Sequence, residues 1–585
     1  MCAMANDKAR VILRDIDGVG GWRLFRKPLN IFTAHKVEDV IPVLSAVEAG
    51  VAAGLQAAGF ISYEAAGGID GVYKTLSPKT YPLAWFGLFK ESEPFSLENP
   101  STFVLGEWQP SVSRSEYDMA MFRIKNCLLD GATYQVNYTM RLRSSFKGDP
   151  LSLFGSLYAS QRTELAAFIE TNDIAVCSVS PELFFTLDGA RLISKPMKGT
   201  IRRGLTLEED VLLSEELFNS HKNRAENVMI VDMVRNDLGR VADTGSVVVS
   251  RMFEIEKYPT VFQMTSTVEC STEASFVGII KALFPCASIT GAPKVKTMEI
   301  IRDLESGPRG IYTGCVGYLL PGRRARFSVA IRTAVVDKQY EVAEYGVGGG
   351  IVWDSHSECE YEECLVKAEV LKTKPQEFQI LETLLWEDQK GYFLINRHLS
   401  RMARSAEYFN YRFSRSDIEG KLVQHATGLA GCNFRVRVKL GSEGDAIIES
   451  DRVAESGKLW LVGVSPCSVR TDDVFLYHKT TNRSVYDNAK RSYASYNDVI
   501  LVNERGEITE STIANVVVEI GGKSVTPPVR CGLLSGVFRE HLLEEKEIVE
   551  GVLTPDDLKK ADKIFLINSV RRWIPVHIDF LTVNA

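Results

Sequence analysis

Ser194-Lys-Pro-Met-Lys-Gly-Thr-Ile-Arg-Arg-Gly204 closes a crowded run of short apolar segments. The segments 164–170, 174–179, 182–187 and 191–197 each have strand length, and such a run predicts a large antiparallel sheet. Lys198 stands between Pro196 and Gly199, on what reads as a short turn directly after the last of these strands. Thr200, Arg202 and Arg203 follow it. An amine held stiffly in this way becomes a nucleophile if burial or neighbouring cations lower its pKa. A lone lysine on a loop is more often just solvated, and the stretch alone leaves both readings open.

The chain has 585 residues, enough for two or more domains. Apolar content of 45% and charged content of 24% are those of an ordinary globular protein. A net charge of −7 with no basic run argues against nucleic acid as a partner. The start, Met1-Cys-Ala-Met-Ala-Asn-Asp-Lys8, has no apolar core of leader length, and no apolar run reaches membrane-spanning length. Eleven cysteines without a CxxC pair suit free thiols in a reducing cytoplasm.

Upstream, Gly59-Phe-Ile-Ser-Tyr-Glu64 reads as a buried strand. Ser113-Arg-Ser-Glu116 is a capping box that starts a helix ending near Gly131. Tyr134–Thr139 reads as a strand. Downstream, Thr206-Leu-Glu-Glu209 is a second capping box, and a helix is predicted over 221–237, carrying Glu226. Pro321-Gly322 is a turn signal, so 311–335 reads as a hairpin. Gly346-Val-Gly-Gly-Gly350 runs toward a helix over 357–372. On it Glu360, Glu363 and Lys367 share one face, either as an exposed ion pair or as two carboxylates awaiting a third. Three carboxylates would be hard ligands suited to Mg²⁺, and spacing does not select which residue completes the set.

Lys372-Thr-Lys-Pro-Gln-Glu377 is polar and contains proline, so domains are expected at 1–374 and 375–585. The second begins with strands at 378–386 and 392–395 and a helix from 398 with Arg401 in its first turn. Val474-Phe-Leu-Tyr477, read as a strand, precedes His478-Lys-Thr-Thr-Asn-Arg483. The segments 498–503 and 508–518 read as a hairpin. Cys531-Gly-Leu-Leu-Ser-Gly-Val-Phe-Arg539 leads into a helix whose free amides at Ser535, Gly536 and Val537 suit a phosphate.

Pro196–Gly204, Arg224–Gly239, Phe284–Lys294 and Glu358–Glu363 together resemble the chorismate-utilising enzymes, with Cys286-Ala287 where that family has Gly-Gly and Gln263 where many relatives have histidine. Lysine at 198 with glutamine at 135 is similar to the aminodeoxychorismate synthase branch, since anthranilate synthases carry alanine at the first position and isochorismate synthases lysine at the second. The resemblance implies an α+β fold, a large antiparallel two-sheet domain with outer helices. It also implies roles. Lys198 forms a covalent adduct with the ring, Glu182 protonates the departing hydroxyl, and Glu226, Glu360 and Glu363 hold Mg²⁺. Arg332, Tyr312, Thr290, Lys367 and the backbone of Gly348, Gly349 and Gly350 bind chorismate.

His398-Leu-Ser-Arg401, His478–Arg483, Thr509–Asn515 and Cys531–Val537 resemble the fold-type IV pyridoxal-phosphate enzymes, most of all the aminodeoxychorismate lyases, although fewer residues precede the first strand here. That resemblance implies Lys479 as the lysine that holds the cofactor aldehyde and shuttles protons. It implies Glu510 on the pyridine nitrogen, and Arg401 with Ser535, Gly536 and Val537 on the phosphate. Together the halves imply chorismate and ammonia converted to 4-amino-4-deoxychorismate and then, by loss of pyruvate, to para-aminobenzoate. No class I glutaminase signature is visible, so ammonia is expected from a separate glutaminase subunit. A homodimer through the second domain is also expected. The competing expectations are an anthranilate-type synthase joined to a branched-chain or D-amino-acid aminotransferase, and a tail that binds no cofactor and serves only for docking.

Overall fold

The computed structural model describes residues 9–14, 21–77, 81–97, 102–371, 377–453, 459–491 and 493–580. Residues 1–8 and most of the 372–377 linker, both read from sequence, lie outside the described residues. Two compact units are present. One is drawn from Met1–Arg202 and Ser214–Pro375, the other from Arg203–Leu213 and Gln376–Ala585. A single cut at 374/375 does not anticipate the short segment that packs with the second unit. Arg203 explains it: its guanidinium forks onto Asp210 (2.7 Å to each oxygen), donates to the Tyr408 carbonyl (2.9 Å) and lies over the Tyr408 ring.

The first unit holds two sheets, of eleven and ten strands among the described residues, and every pairing among them is antiparallel. Side-chain alternation builds the layers. On Ile174–Ser178, Ala175 and Cys177 pack with the helices Arg114–Leu129 and Pro150–Gln161, while Ile174 and Val176 point the other way. There they meet Ala58 and Phe60 of Gln56–Ile61 in the other sheet. The opposite residues of that strand, Ala57 and Ile61, pack with the outer helices Val40–Ala52 and His221–Gly239. Apolar residues on both faces of both sheets therefore dictate helix, sheet, sheet, helix. Ser113 caps the first of these helices with Glu116 answering, as the capping box predicts. The Pro321-Gly322 hairpin joins Cys315–Leu320 to Arg324–Val329.

Lys198 departs from its reading as a turn residue. It lies within the strand Met197–Arg202, where the register against Val261–Ser271 slips between Met197 and Thr200. Two residues, Lys198 and Gly199, oppose one, Met264, and Gly199 takes φ +101° to absorb the extra residue.

In the second unit, Ile380–Glu387, Gly391–Tyr392, Phe434–Leu440 and Ala446–Arg452 form a four-stranded sheet covered by the helices Ile395–Phe409 and Arg415–Ala426. The helix begins at Ile395, so the predicted strand at 392–395 is cut short and Arg401 falls in the second turn. Val474–Leu476 is a short 3₁₀ turn capped by Asp473, where a strand was expected. An eight-stranded sheet follows. The predicted arm 508–518 breaks into Ile508–Ser511 and Asn515–Ile520, and these pair at Glu510 and Asn515, closing six strands into a ring.

Candidate active sites

A cavity of about 380 Å³ opens in the first unit, lined by Glu182, Lys198, Glu226, Tyr312, Arg332, Gly348, Gly349, Gly350, Glu360, Glu363 and Lys367. The sheet register places the glycine strand Val342–Ile351 against Gln135–Gly148, with Gly348, Gly349 and Gly350 opposite Thr139, Tyr138 and Asn137. The amides of Thr139 and Asn137 go elsewhere, to Glu305 Oε1 and the Thr290 carbonyl. In an antiparallel ladder this makes Gly349 the inward-bonded residue and turns the amides of Gly348 and Gly350 to the open edge. Two of the three expected amide donors are thus available. The Gly348 carbonyl already accepts from Lys367 Nζ at 2.8 Å. A methyl at Gly350 would collide with Lys198 Nζ and stand 2.9 Å from Gln135 Nε2, so glycine there admits the amine.

Lys198 Nζ lies 3.4 Å from Glu226 Oε2, and Lys367 Nζ lies 2.6 Å from Glu363 Oε1. Burial lifts the Glu360 carboxyl. Burial would lift Glu363 too, but the charges of Lys367, Lys198 and Arg332 hold it below the usual range. Glu182 is buried, and desolvation raises its carboxyl to about 7 against the pull of the Ser288 hydroxyl (2.5 Å), the Met197 amide and the Lys198 charge. Arg332 donates to the Lys367 carbonyl at 2.7 Å. Tyr312 is buried, its ring beneath the Arg141 guanidinium at 4.9 Å. Thr290 does not line the cavity. It is wholly buried and its hydroxyl donates to the Cys286 and Ala287 carbonyls, while Ser288 and Ile289 face inward in its place. Ser288, Asn137, Thr200 and Asn223 reach the cavity from four separate elements, and no local spacing marks them.

The three glutamates share this cavity, and hard carboxylate oxygens are the donors a divalent cation such as Mg²⁺ takes, together with waters and substrate oxygens. Among the described residues no three acidic, histidine or cysteine side chains converge on one point. Glu226 and Glu363 are each engaged by a lysine instead. The donor chemistry fits a cation shared with an anionic substrate.

The second unit has a cavity of about 390 Å³ lined by His398, Arg401, Lys479, Tyr486, Glu510, Asn515, Gly536 and Val537. Burial, with the charges of Arg401 and Arg483, depresses the Lys479 amine to about 8. Burial raises Glu510 to about 7. Its oxygens accept from Tyr486 Oη at 2.8 Å, the Leu534 amide at 3.2 Å and Asn515 Nδ2 at 3.2 Å. Arg401 forks onto Glu382 (2.8 Å to each oxygen) and donates to the Ser535 carbonyl at 3.0 Å. The Ser535 hydroxyl turns to Glu540, so of the three expected phosphate residues Gly536 and Val537 line the cavity and begin the Val537–Glu544 helix. A poised amine, a carboxyl for a ring nitrogen, and an arginine beside a helix start fit a phosphorylated pyridine aldehyde. Tyr486, Glu382 and His398 were missed as site residues, although His398 opens a quoted motif.

Amine, acid and carboxylates on one cavity of a two-sheet unit, and a lysine and a glutamate on the cavity of a second unit, define an enzyme with two separate sites. The chain belongs to the chorismate binding enzyme family, whose model matches residues 22–373, and a class IV amino-transferase model matches 379–578. Similar proteins include aminodeoxychorismate synthase component 1 of Klebsiella aerogenes, 40% identical over 270 residues, 46% of this chain and 59% of that protein. The Escherichia coli component 1 is 38% identical over 47% of this chain and 61% of its own length. Anthranilate synthase component 1 of Aquifex aeolicus is 37% identical over 45% of this chain and 53% of its own. The chain thus spans about three-fifths of the length of the component 1 relatives. Anthranilate synthase component I from Streptococcus pneumoniae shares the fold, with a TM-score of 0.53 and 21% identity over 60% of this chain and 92% of that one.

Proposed function

We propose that this chain makes para-aminobenzoate in two steps, aminating chorismate to 4-amino-4-deoxychorismate in the first unit and removing pyruvate in the second. The observation that carries the reading is Lys198 and Glu182 on one cavity, an amine beside a carboxyl lifted to about 7. Glu182 gives its proton to the ring hydroxyl as it leaves as water, Lys198 Nζ bonds to the ring, and ammonia then displaces the lysine. Arg332 and Tyr312 hold the enolpyruvyl carboxylate, and Lys367 with the Gly348 and Gly350 amides holds the ring carboxylate. Glu226, Glu360 and Glu363 would hold Mg²⁺, which neutralises that carboxylate.

In the second unit Arg401, Gly536 and Val537 seat a phosphate, and Glu510 meets a pyridine nitrogen. Pyridoxal phosphate, when bound, supplies an electron sink. Lys479 Nζ takes the proton from the amine-bearing ring carbon and delivers one to the departing enolpyruvate. A separate glutaminase subunit supplies ammonia, in keeping with the relatives' name of component 1. The protein works in the cytoplasm, and two copies pair through the second domain.

The test is product analysis with chorismate, ammonium, Mg²⁺ and pyridoxal phosphate. Para-aminobenzoate and pyruvate are expected. Anthranilate instead would favour the anthranilate-type reading that the Aquifex relative represents. Amino transfer to a 2-oxo acid would overturn the lyase half.

A further inference from the structure

Glu382 is wholly buried in the strand Ile380–Glu387 and binds two neighbours on one face of the Ile395–Phe409 helix. Arg401 takes both oxygens, and His398, three residues earlier, places Nδ1 2.7 Å from Oε2. Burial opposes ionisation of Glu382, yet the Arg401 and His398 interactions hold its carboxyl at about 2, so it only accepts. His398 Nδ1 therefore carries the hydrogen, and in the neutral ring Nε2 has a bare lone pair. That nitrogen is buried, has no hydrogen-bond partner, and belongs to a residue on the cavity wall beside Arg401. Buried polar atoms are rarely left unmatched, and one on a cavity wall calls for a partner such as a ligand, an ion or a water.

We propose that His398, oriented by Glu382, is a phosphate ligand that takes up a proton from solvent when a phosphorylated aldehyde enters the cavity. This rests on the reading of the second unit as a pyridoxal-phosphate domain. The charged groups facing His398 are Glu382 from the strand, Arg401 from its own helix and Lys479 from the loop after the 3₁₀ turn. With no anion present, burial keeps the imidazole below its ordinary value, Glu382 opposes this, and the Arg401 and Lys479 charges add to it. An incoming phosphate dianion reverses that balance and favours imidazolium. The sign follows. His398 has the higher pKa in the bound state, so binding is strongest at low pH and weakens as pH rises through that bound-state value. Glu382 is a positioning residue, since it touches Arg401 and His398 and not the phosphate.

The experiment titrates the full chain with pyridoxal phosphate and, in parallel, with pyridoxal, reading aldehyde absorbance and proton uptake at about pH 8, where a phosphate monoester is already a dianion. Pyridoxal phosphate should draw more protons than pyridoxal, and its Kd should rise up to about tenfold per pH unit as His398 gives up its proton. In H398Q the absorbance change with pyridoxal should persist, which shows an intact cavity, while the extra uptake vanishes and the Kd of pyridoxal phosphate follows pH only as that of pyridoxal does, through groups such as Lys479 and Glu510. E382Q should weaken pyridoxal phosphate and leave pyridoxal unchanged. Extra uptake that survives in H398Q, or none in the wild type, overturns the inference while leaving the cofactor reading standing. No absorbance change with pyridoxal phosphate in the wild type overturns both.

Discussion

Glu182 acts as an acid only while protonated, so amination should slow as pH rises through about 7, the value to which burial lifts its carboxyl. E182Q should remove that limb and lower kcat by roughly 10²–10⁴-fold, read by product formation at several pH values. K198A should abolish 4-amino-4-deoxychorismate formation. Mass spectrometry of the wild type with chorismate and Mg²⁺ should show an adduct that K198A lacks. At Glu382 the folded carboxyl sits near 2, below its unfolded value, so it stabilises the fold above the unfolded pKa and that stability is lost as pH falls toward 2. The proposed roles come from the long motifs alone. A lysine after Pro196 and an acid after Pro181 carry no local signature of chemistry, because their meaning comes from neighbours far along the chain.

Strands and helices set how closely those residues meet. G350A should cut amination severely, because its methyl would occupy the space of Lys198 Nζ, with little change in melting temperature if the strand holds. The comparison with sequence runs along the same line. The helix after Ser113 and the hairpin at Pro321-Gly322 were readable because capping and turns are local. The bulge at Lys198 and Gly199 was not, because it exists only against the register of Val261–Ser271, some sixty positions away. Thr290 failed for a related reason: the short turn Ala287–Ile289 rotates its hydroxyl onto backbone carbonyls. The segment Arg203–Leu213 shows the same limit, since nothing near Arg203 announces Tyr408.

At the scale of the molecule, the two proposed activities should be separable. K479A should stop pyruvate release while 4-amino-4-deoxychorismate accumulates, and mixing K198A with K479A should restore para-aminobenzoate if the intermediate diffuses between molecules. Loss of the core residue Phe60, buried between the sheets, should cost about 3–5 kcal/mol as alanine, read by denaturant unfolding. In the ring of six strands in the second unit, Ile508–Ser511 meets Asn515–Ile520 through the Glu510–Asn515 pair and the tight turn that joins them, closed by the Ser511 amide on the Ala514 carbonyl. The carboxylate that would greet the coenzyme is therefore part of the clasp. A vitamin B6 derivative seated there would act as a rivet, and starvation for that nutrient would shorten the lifetime of the polypeptide in the presence of proteases as well as idle its second reaction.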